Sequence, residues 1–309
     1  MFKHPIVFIL LIFITLSAKA QAPKGIRYKD LIFSDVKTDK DLSYNPNTSK
    51  NDKKAYQFDL YQPQNDDEKN RPLIIWMHGG GFKFGSKNAK GMNVWSESFA
   101  KRGYVCAAIN YRLSKHNPLF HFDELLKSSY YAVQDAKRAV LYFKEHAKEY
   151  NIDPDKIILA GNSAGGIIAL QAAYSSNADL AKLANLPDTV EGAKTREIFK
   201  VAGVINFWGA IYDTSWLKNA HVPIVNVLGS KDGVVPPTHK SAPLHGGLDI
   251  HKEADALHIP NDLKVFEGYS HELQKHFNPI FPVGKATKKR WLEAGQVAAD
   301  FLYDNLFKH

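Results

Sequence analysis

Ser163 stands between glycines in Gly161-Asn162-Ser163-Ala164-Gly165-Gly166, directly after the apolar run Lys156–Ala160 and before a second apolar stretch. A G-x-S-x-G run between a strand and a helix sends the chain through a tight, strained turn. Glycine on either side removes the Cβ atoms that would collide where strand and helix cross, so the hydroxyl is presented at the strand's C-terminal end. A hydroxyl so placed can attack a carbonyl carbon if a base takes its proton and a carboxylate holds that base in one tautomer. The motif alone is weak, because its residues are common. Its position between a strand pattern and a helix pattern gives it weight.

Two later segments could supply the base and the acid. Ile224–Leu228 is an apolar run that leads to Asp232, and Leu263–Phe266 leads to His271. Asp213, Asp249 and Asp255 are rival acids, and His258 and His276 are rival bases. The rivals lie in helix-like or loop stretches away from a strand end, so Asp232 and His271 are preferred on geometric grounds. A separate signal is His78-Gly79-Gly80-Gly81, which follows the apolar run Leu73–Met77. Glycines there let backbone N–H groups turn toward a ligand, and such donors stabilise the negative oxygen of a tetrahedral intermediate. A purely structural glycine turn is the alternative, and His78 itself is expected to brace the loop.

The elements that must carry these residues alternate between two periods. Tyr56–Tyr61 alternates like a half-exposed strand, whereas Leu73–Met77, Val105–Ile109, Lys156–Ala160, Val201–Phe207, Ile224–Leu228 and Leu263–Phe266 are nearly continuous apolar runs. Such runs are expected of strands covered on both faces. Between them Asp123–Tyr150 repeats apolar residues at helical spacing, and Asn93–Arg102, Ala164–Ser175, Ile250–Leu257 and Lys288–Leu306 are further helix candidates. The pattern predicts an α/β fold with a mostly parallel central sheet flanked by helices on both faces. Residues 56–309 form one catalytic domain in this reading. Residues 21–55 are a polar arm with an apolar island at Leu31–Phe33 and room for one edge strand.

Residues 1–20 read as a signal peptide: Lys3, an apolar run from Ile6 to Leu16, then Ser17-Ala18-Lys19-Ala20 with cleavage before Gln21. That run is shorter than the roughly 20 residues a membrane span takes. The expectation is an exported protein, periplasmic or secreted, with no stable membrane insertion after cleavage. The formal net charge of +8 is spread along the chain. The clusters Lys53-Lys54 and Lys288-Lys289-Arg290 lack interleaved aromatics, which argues against nucleic acid as a partner. Cys106, the single cysteine, sits in an apolar strand pattern and reads as a small buried hydrophobe. His239, His245, His251 and His258 match no zinc spacing, so neither a metal nor any other cofactor is expected.

Together the motifs resemble the α/β-hydrolase superfamily from Tyr56 onward. His78-Gly79-Gly80-Gly81-Phe82, Gly161-Asn162-Ser163-Ala164-Gly165-Gly166, Asn110-Tyr111-Arg112, Asp232-Gly233-Val234-Val235-Pro236 and Gly268-Tyr269-Ser270-His271 are similar to the bacterial feruloyl esterase and acetylxylan esterase group. The resemblance implies a serine carboxylesterase with Ser163, Asp232 and His271 as its triad and the N–H groups of Gly80, Gly81 and Ala164 as oxyanion donors. It departs from the hormone-sensitive lipase-like branch at Val234-Val235-Pro236-Pro237, where that branch usually has a further acidic residue. A lipase-like or general short-chain carboxylesterase, an amide-cleaving relative of the prolyl oligopeptidases and a non-enzymatic binding module are the other readings. Little chain separates Trp208 from Ile224, too little for a lid domain. An open cleft is therefore expected, suited to a small-molecule or polysaccharide ester, with Phe82, Trp208 and Trp216 as candidate walls and ordinary core as the alternative for these aromatics.

Overall fold

Side chains of a strand alternate between faces, and the strand Arg71–Met77 (β3) does so with both faces buried: Leu73, Ile75 and Met77 join one core, Ile74 and Trp76 the other. The computed structural model describes residues 25–187, 199–240, 243–280 and 282–308. The run Ile6–Leu16 and the expected cleavage point lie outside the described residues. The remaining strands are β1 (Val36–Ser43), β2 (Gln57–Pro63), β4 (Val105–Ile109), β5 (Ile152–Asn162), β6 (Gly203–Phe207), β7 (Ile224–Gly229) and β8 (Asn261–Phe266). They form one eight-stranded sheet in the order β1-β2-β4-β3-β5-β6-β7-β8. β2 pairs antiparallel with β1 and β4, and the six strands β4-β3-β5-β6-β7-β8 pair parallel with one another.

Helices cover the two faces. α1 (Lys90–Ala100) and α7 (Lys285–Leu306) bury Trp95, Phe99, Trp291 and Leu302 on the face of Ile74 and Trp76. α2 (Phe122–Glu145), α4 (Ala164–Tyr174) and α6 (Gly247–Ala256) bury Val133, Val140, Ile167, Leu170 and Ile250 on the other. Each fully buried aliphatic side chain of this kind contributes about 1.5–3 kcal/mol relative to exposure.

Several boundaries differ from the sequence pattern. The stretch Asp123–Tyr150 is two helices, because His146 at φ −100°, ψ 21° breaks α2 from the short α3 (Ala147–Tyr150). A further short helix, α5 (Asn177–Leu183), is capped by Ser176, whose side chain accepts the N–H of Asp179. The arm holds one edge strand, Val36–Ser43, and the apolar island Leu31–Phe33 lies just before it, where Ile32 and Phe33 donate to the carbonyl of Lys101. Among the described residues no helix is long and apolar enough to cross a membrane.

Candidate active site

Because β3, β5, β7 and β8 run parallel, the loops at their C-terminal ends emerge on one edge of the sheet. Those loops carry His78–Gly81, Ser163, Asp232 and His271. Ser163 has φ 54° and ψ −119°, a left-handed conformation that a side-chain-bearing residue rarely takes. The turn is held by its N–H donating to Phe207 O at 2.9 Å. It is possible at all because a Cβ on Gly165 would run into the carbonyl oxygen of Met77, and one on Gly161 into the backbone of Gly165. β5 and α4 cross too closely for any other residue there.

Asp232 and His271 are brought to Ser163, and their rivals are not. His271 Nε2 lies 2.9 Å from Ser163 Oγ, and His271 Nδ1 lies 2.7 Å from Asp232 Oδ2. Asp232 Oδ1 accepts the N–H groups of Val234 and Val235, each at 2.9 Å, which fixes the carboxylate plane. Asp232 and His271 are 3% and 2% exposed, and Ser163 8%. Phe277 meets the His271 ring edge-on at 4.9 Å. Asp213 caps a 3-10 turn through Ser215 N, Asp249 accepts from His239 N, and Asp255 holds Asn261. His276 is exposed, and His258 ends α6 in a left-handed turn.

Gly80 and Gly81 take φ of +114° and +59°. The chain there coils so that Gly80 O accepts from Lys83 N and Phe84 N at 3.1 and 3.0 Å. Ala164 N opens α4, where no preceding carbonyl of the helix can reach it. Three contacts fix this turn. Asn162 Oδ1 accepts the N–H of Gly79 at 3.1 Å, Tyr111 Oη donates to His78 O at 2.7 Å, and His78 Nδ1 sits 2.7 Å from Gly79 O. Tyr111 is stacked on the His78 ring at 4.3 Å. Its neighbour Arg112 is forked onto the buried Asp135 of α2, with Nη2 to Oδ1 at 2.7 Å. Burial pushes the His78 imidazole down to about 4, so it is neutral at ordinary pH. Burial also raises the carboxyl of Glu272, the residue after His271. Asn162 and Tyr111 carry structural duties that the motifs did not reveal. The signal for both was their place in Asn110-Tyr111-Arg112 and Gly161-Asn162-Ser163, two of the stretches that carry the family resemblance.

A cavity of about 320 Å³ opens beside Ser163, lined by Gly81, Phe82, Ala164 and an apolar wall that includes Leu119, Phe122, Ile167, Val235 and Leu244. This corrects the expected aromatic edge. Phe82 lines the cavity, but Trp208 and Trp216 do not. Trp208 packs between Phe207, Trp95 and Trp291 in the core above α1 and α7, and Trp216 is buried in the opposite core. Both rings satisfy the hydrophobic demand of the covering helices before that of any ligand. The wall comes instead from the loop before α2, the first turn of α2, Ile167 of α4 and the segment after β7.

The four clustered histidines serve local structure. His239 stacks on His245 at 4.6 Å, His245 faces Asp249 at 3.3 Å, and His251 bonds Asn261. Among the described residues no group of three or more His, Cys, Asp or Glu could hold a metal ion.

The sheet order, the strained serine turn and the hydrogen-bonded Ser163–His271–Asp232 chain define an α/β-hydrolase fold. Residues 58–232 match the model of the BD-FAE family, and the chain belongs to that family. A probable carboxylic ester hydrolase of Mycobacterium tuberculosis, LipM, is 30% identical over 244 residues, covering 76% of this chain and 50% of LipM. Human arylacetamide deacetylase-like 2 is 32% identical over 36% of this chain and 26% of its own length. The chain thus spans half or less of the length of these curated relatives. Esterase 2 of Thermogutta terrifontis, solved after phosphorylation by paraoxon, superposes with a TM-score of 0.62 at 23% identity, covering 88% of this chain and 95% of that one. Its propionate-bound form gives 0.58 at 22% identity, over 91% and 98%.

Proposed function

We propose that this protein is a serine carboxylic ester hydrolase that works through an acyl-enzyme. The observation that carries the reading is the buried relay from Asp232 through His271 to Ser163 Oγ, opening on an apolar cavity. In the first half-reaction His271 Nε2 takes the hydroxyl proton as Oγ attacks the ester carbonyl. Asp232 holds the ring with Nδ1 protonated and stabilises the imidazolium that forms. The N–H groups of Gly80, Gly81 and Ala164 receive the oxyanion. His271 then returns the proton to the leaving alcohol, and water repeats the sequence in reverse to free the acid.

The substrates proposed are short-acyl or feruloyl esters of carbohydrates, met outside the cytoplasm after removal of residues 1–20. Family membership supports the ester class, and a cavity of about 320 Å³, at the small end of ligand pockets, supports a compact acyl group. The test is labelling by a fluorophosphonate followed by peptide mapping, then hydrolysis of acetylated and feruloylated xylo-oligosaccharides beside long-chain acyl esters. Label on Ser163 and preference for the sugar esters are expected. Preference for the long-chain esters would replace this reading with a lipase. Export is tested by the mass of the protein recovered outside the cytoplasm, expected to begin at Gln21.

A further inference from the structure

A bound ester must straddle Ser163, with its acyl part on one side and its alcohol on the other. Under the esterase reading, on which this inference rests, His271 protonates the leaving oxygen, so the alcohol lies toward His271. The lining of the 320 Å³ cavity includes Ser163, Gly81 and Ala164 but neither His271 nor Asp232. The cavity therefore flanks the side of the carbonyl that keeps the acyl group. We propose that it is the acyl subsite and that Leu119 sets the size of the acyl group it admits.

Leu119 stands directly against the oxyanion turn, since a Cβ on Gly81 would run into Leu119 Cδ2. Although 51% exposed, it is not on an unattached loop. Ser114 N donates to Phe82 O at 2.8 Å, and Lys83 Nζ donates to the carbonyls of Ser114 and Lys115 at 3.2 and 3.0 Å. The loop that bears Leu119 is thereby fastened to the residues that follow Gly81. A change of acyl size is felt where the oxyanion donors are set. Val235, Leu244, Leu125 and Ile167 are also in its lining. His121 is the single ionisable residue of that lining. Apart from His121 the lining offers a charged acyl group no ionisable partner to replace the hydration it loses there. An uncharged, compact acyl group fills the space, and a longer one has to displace Leu119.

The experiment uses p-nitrophenyl acetate, butyrate, octanoate and laurate, which share one leaving group so that differences report the acyl side alone. Wild type is compared with Leu119→Ala and Leu119→Trp. Leu119→Ala is expected to raise the octanoate-to-acetate ratio of kcat/KM about tenfold, and Leu119→Trp to lower it by a similar factor. The ratio is taken within each variant, so a change in overall rate cancels, and thermal melting shows that both variants fold. An unchanged ratio in both variants, with acetate still cleaved, overturns the Leu119 assignment and leaves the esterase reading intact. So does a shift seen only when the acyl group is fixed as acetyl and the alcohol is varied. A wild-type enzyme that cleaves none of the esters sinks both.

Discussion

Asn162 Oδ1 accepts the N–H of Gly79 at 3.1 Å, so the residue before Ser163 holds the first glycine of the turn that follows β3. The serine turn and the glycine turn come from strands adjacent in the sheet, β5 and β3, and this bond makes them one rigid unit. Replacing Asn162 with Leu removes the acceptor and leaves the part-buried Gly79 N–H without this partner. The N–H groups proposed as oxyanion donors then lose their aim. We expect kcat to fall about 10–100-fold with little change in KM, because misplacement affects the transition state more than substrate binding. Steady-state kinetics check this, and a change confined to KM would count against it.

The relay makes a second prediction. Ser163→Ala and His271→Ala should each lower kcat by about four to six orders of magnitude, and Asp232→Asn by about four. The double mutants should be no worse than the singles, since the three groups act together. His276→Ala is the control: His276 is exposed, and its loss should leave kcat near wild type. Thermal melting verifies that each variant is folded.

The buried His78 ring predicts a pH dependence of stability. Its pKa is about 4 in the folded protein against a reference of 6.5, so between those values the unfolded chain binds the extra proton. Stability from neutral His78 is whole above about pH 6.5 and is lost as the pH falls toward 4, by about 3 kcal/mol in total. His78→Asn keeps a donor near Gly79 O without the titration. Urea unfolding across this window should show a shallower slope for the variant than for wild type, and equal slopes would remove His78 as the cause.

The parts of this site that were legible in the sequence share a physical origin. Ser163, Asp232 and His271 each stand a few residues past the end of a buried apolar run, and the alternation that marks those runs is local. In a parallel sheet all such ends fall on one edge, so nearness in space follows from order along the chain. Trp208 and Trp216 could be read as cleft wall or as core, for the opposite reason, and they are core. Whether an aromatic just past a strand turns outward or inward depends on the helices that cover it, and Trp208 meets Trp95 and Trp291 from distant segments. The Leu119 wall was hidden in the same way, because its loop is shaped by Ser114 reaching Phe82 across the sheet edge. The break at His146 was missed because apolar spacing runs on through it from Phe143 to Ala147 and Tyr150, all buried.

The turn that carries His271 is itself strained, and α7 restrains it. Glu272 and Leu273 have φ of 55° and 56°, a left-handed pair without a glycine. Two side chains of α7 reach back to that pair: Arg290 Nε donates to Leu273 O and Trp291 Nε1 to Glu272 O, both at 2.7 Å. The Arg290 guanidinium also lies 4.1 Å from the centre of the Tyr269 ring, two residues before His271. Left-handed non-glycine residues cost on the order of 1–3 kcal/mol each and persist only where the surroundings enforce them. Arg290→Met keeps the length of the side chain but removes the donor and the cation over Tyr269. The turn should then relax and carry His271 away from Ser163 Oγ. We expect kcat to fall about tenfold or more with KM nearly unchanged, and stability to drop by about 1–2 kcal/mol. Arg290→Lys restores the charge over the ring without the guanidinium geometry, so it should recover stability more than kcat. If Arg290→Met lost stability but kept full kcat, Arg290 would anchor α7 without positioning His271.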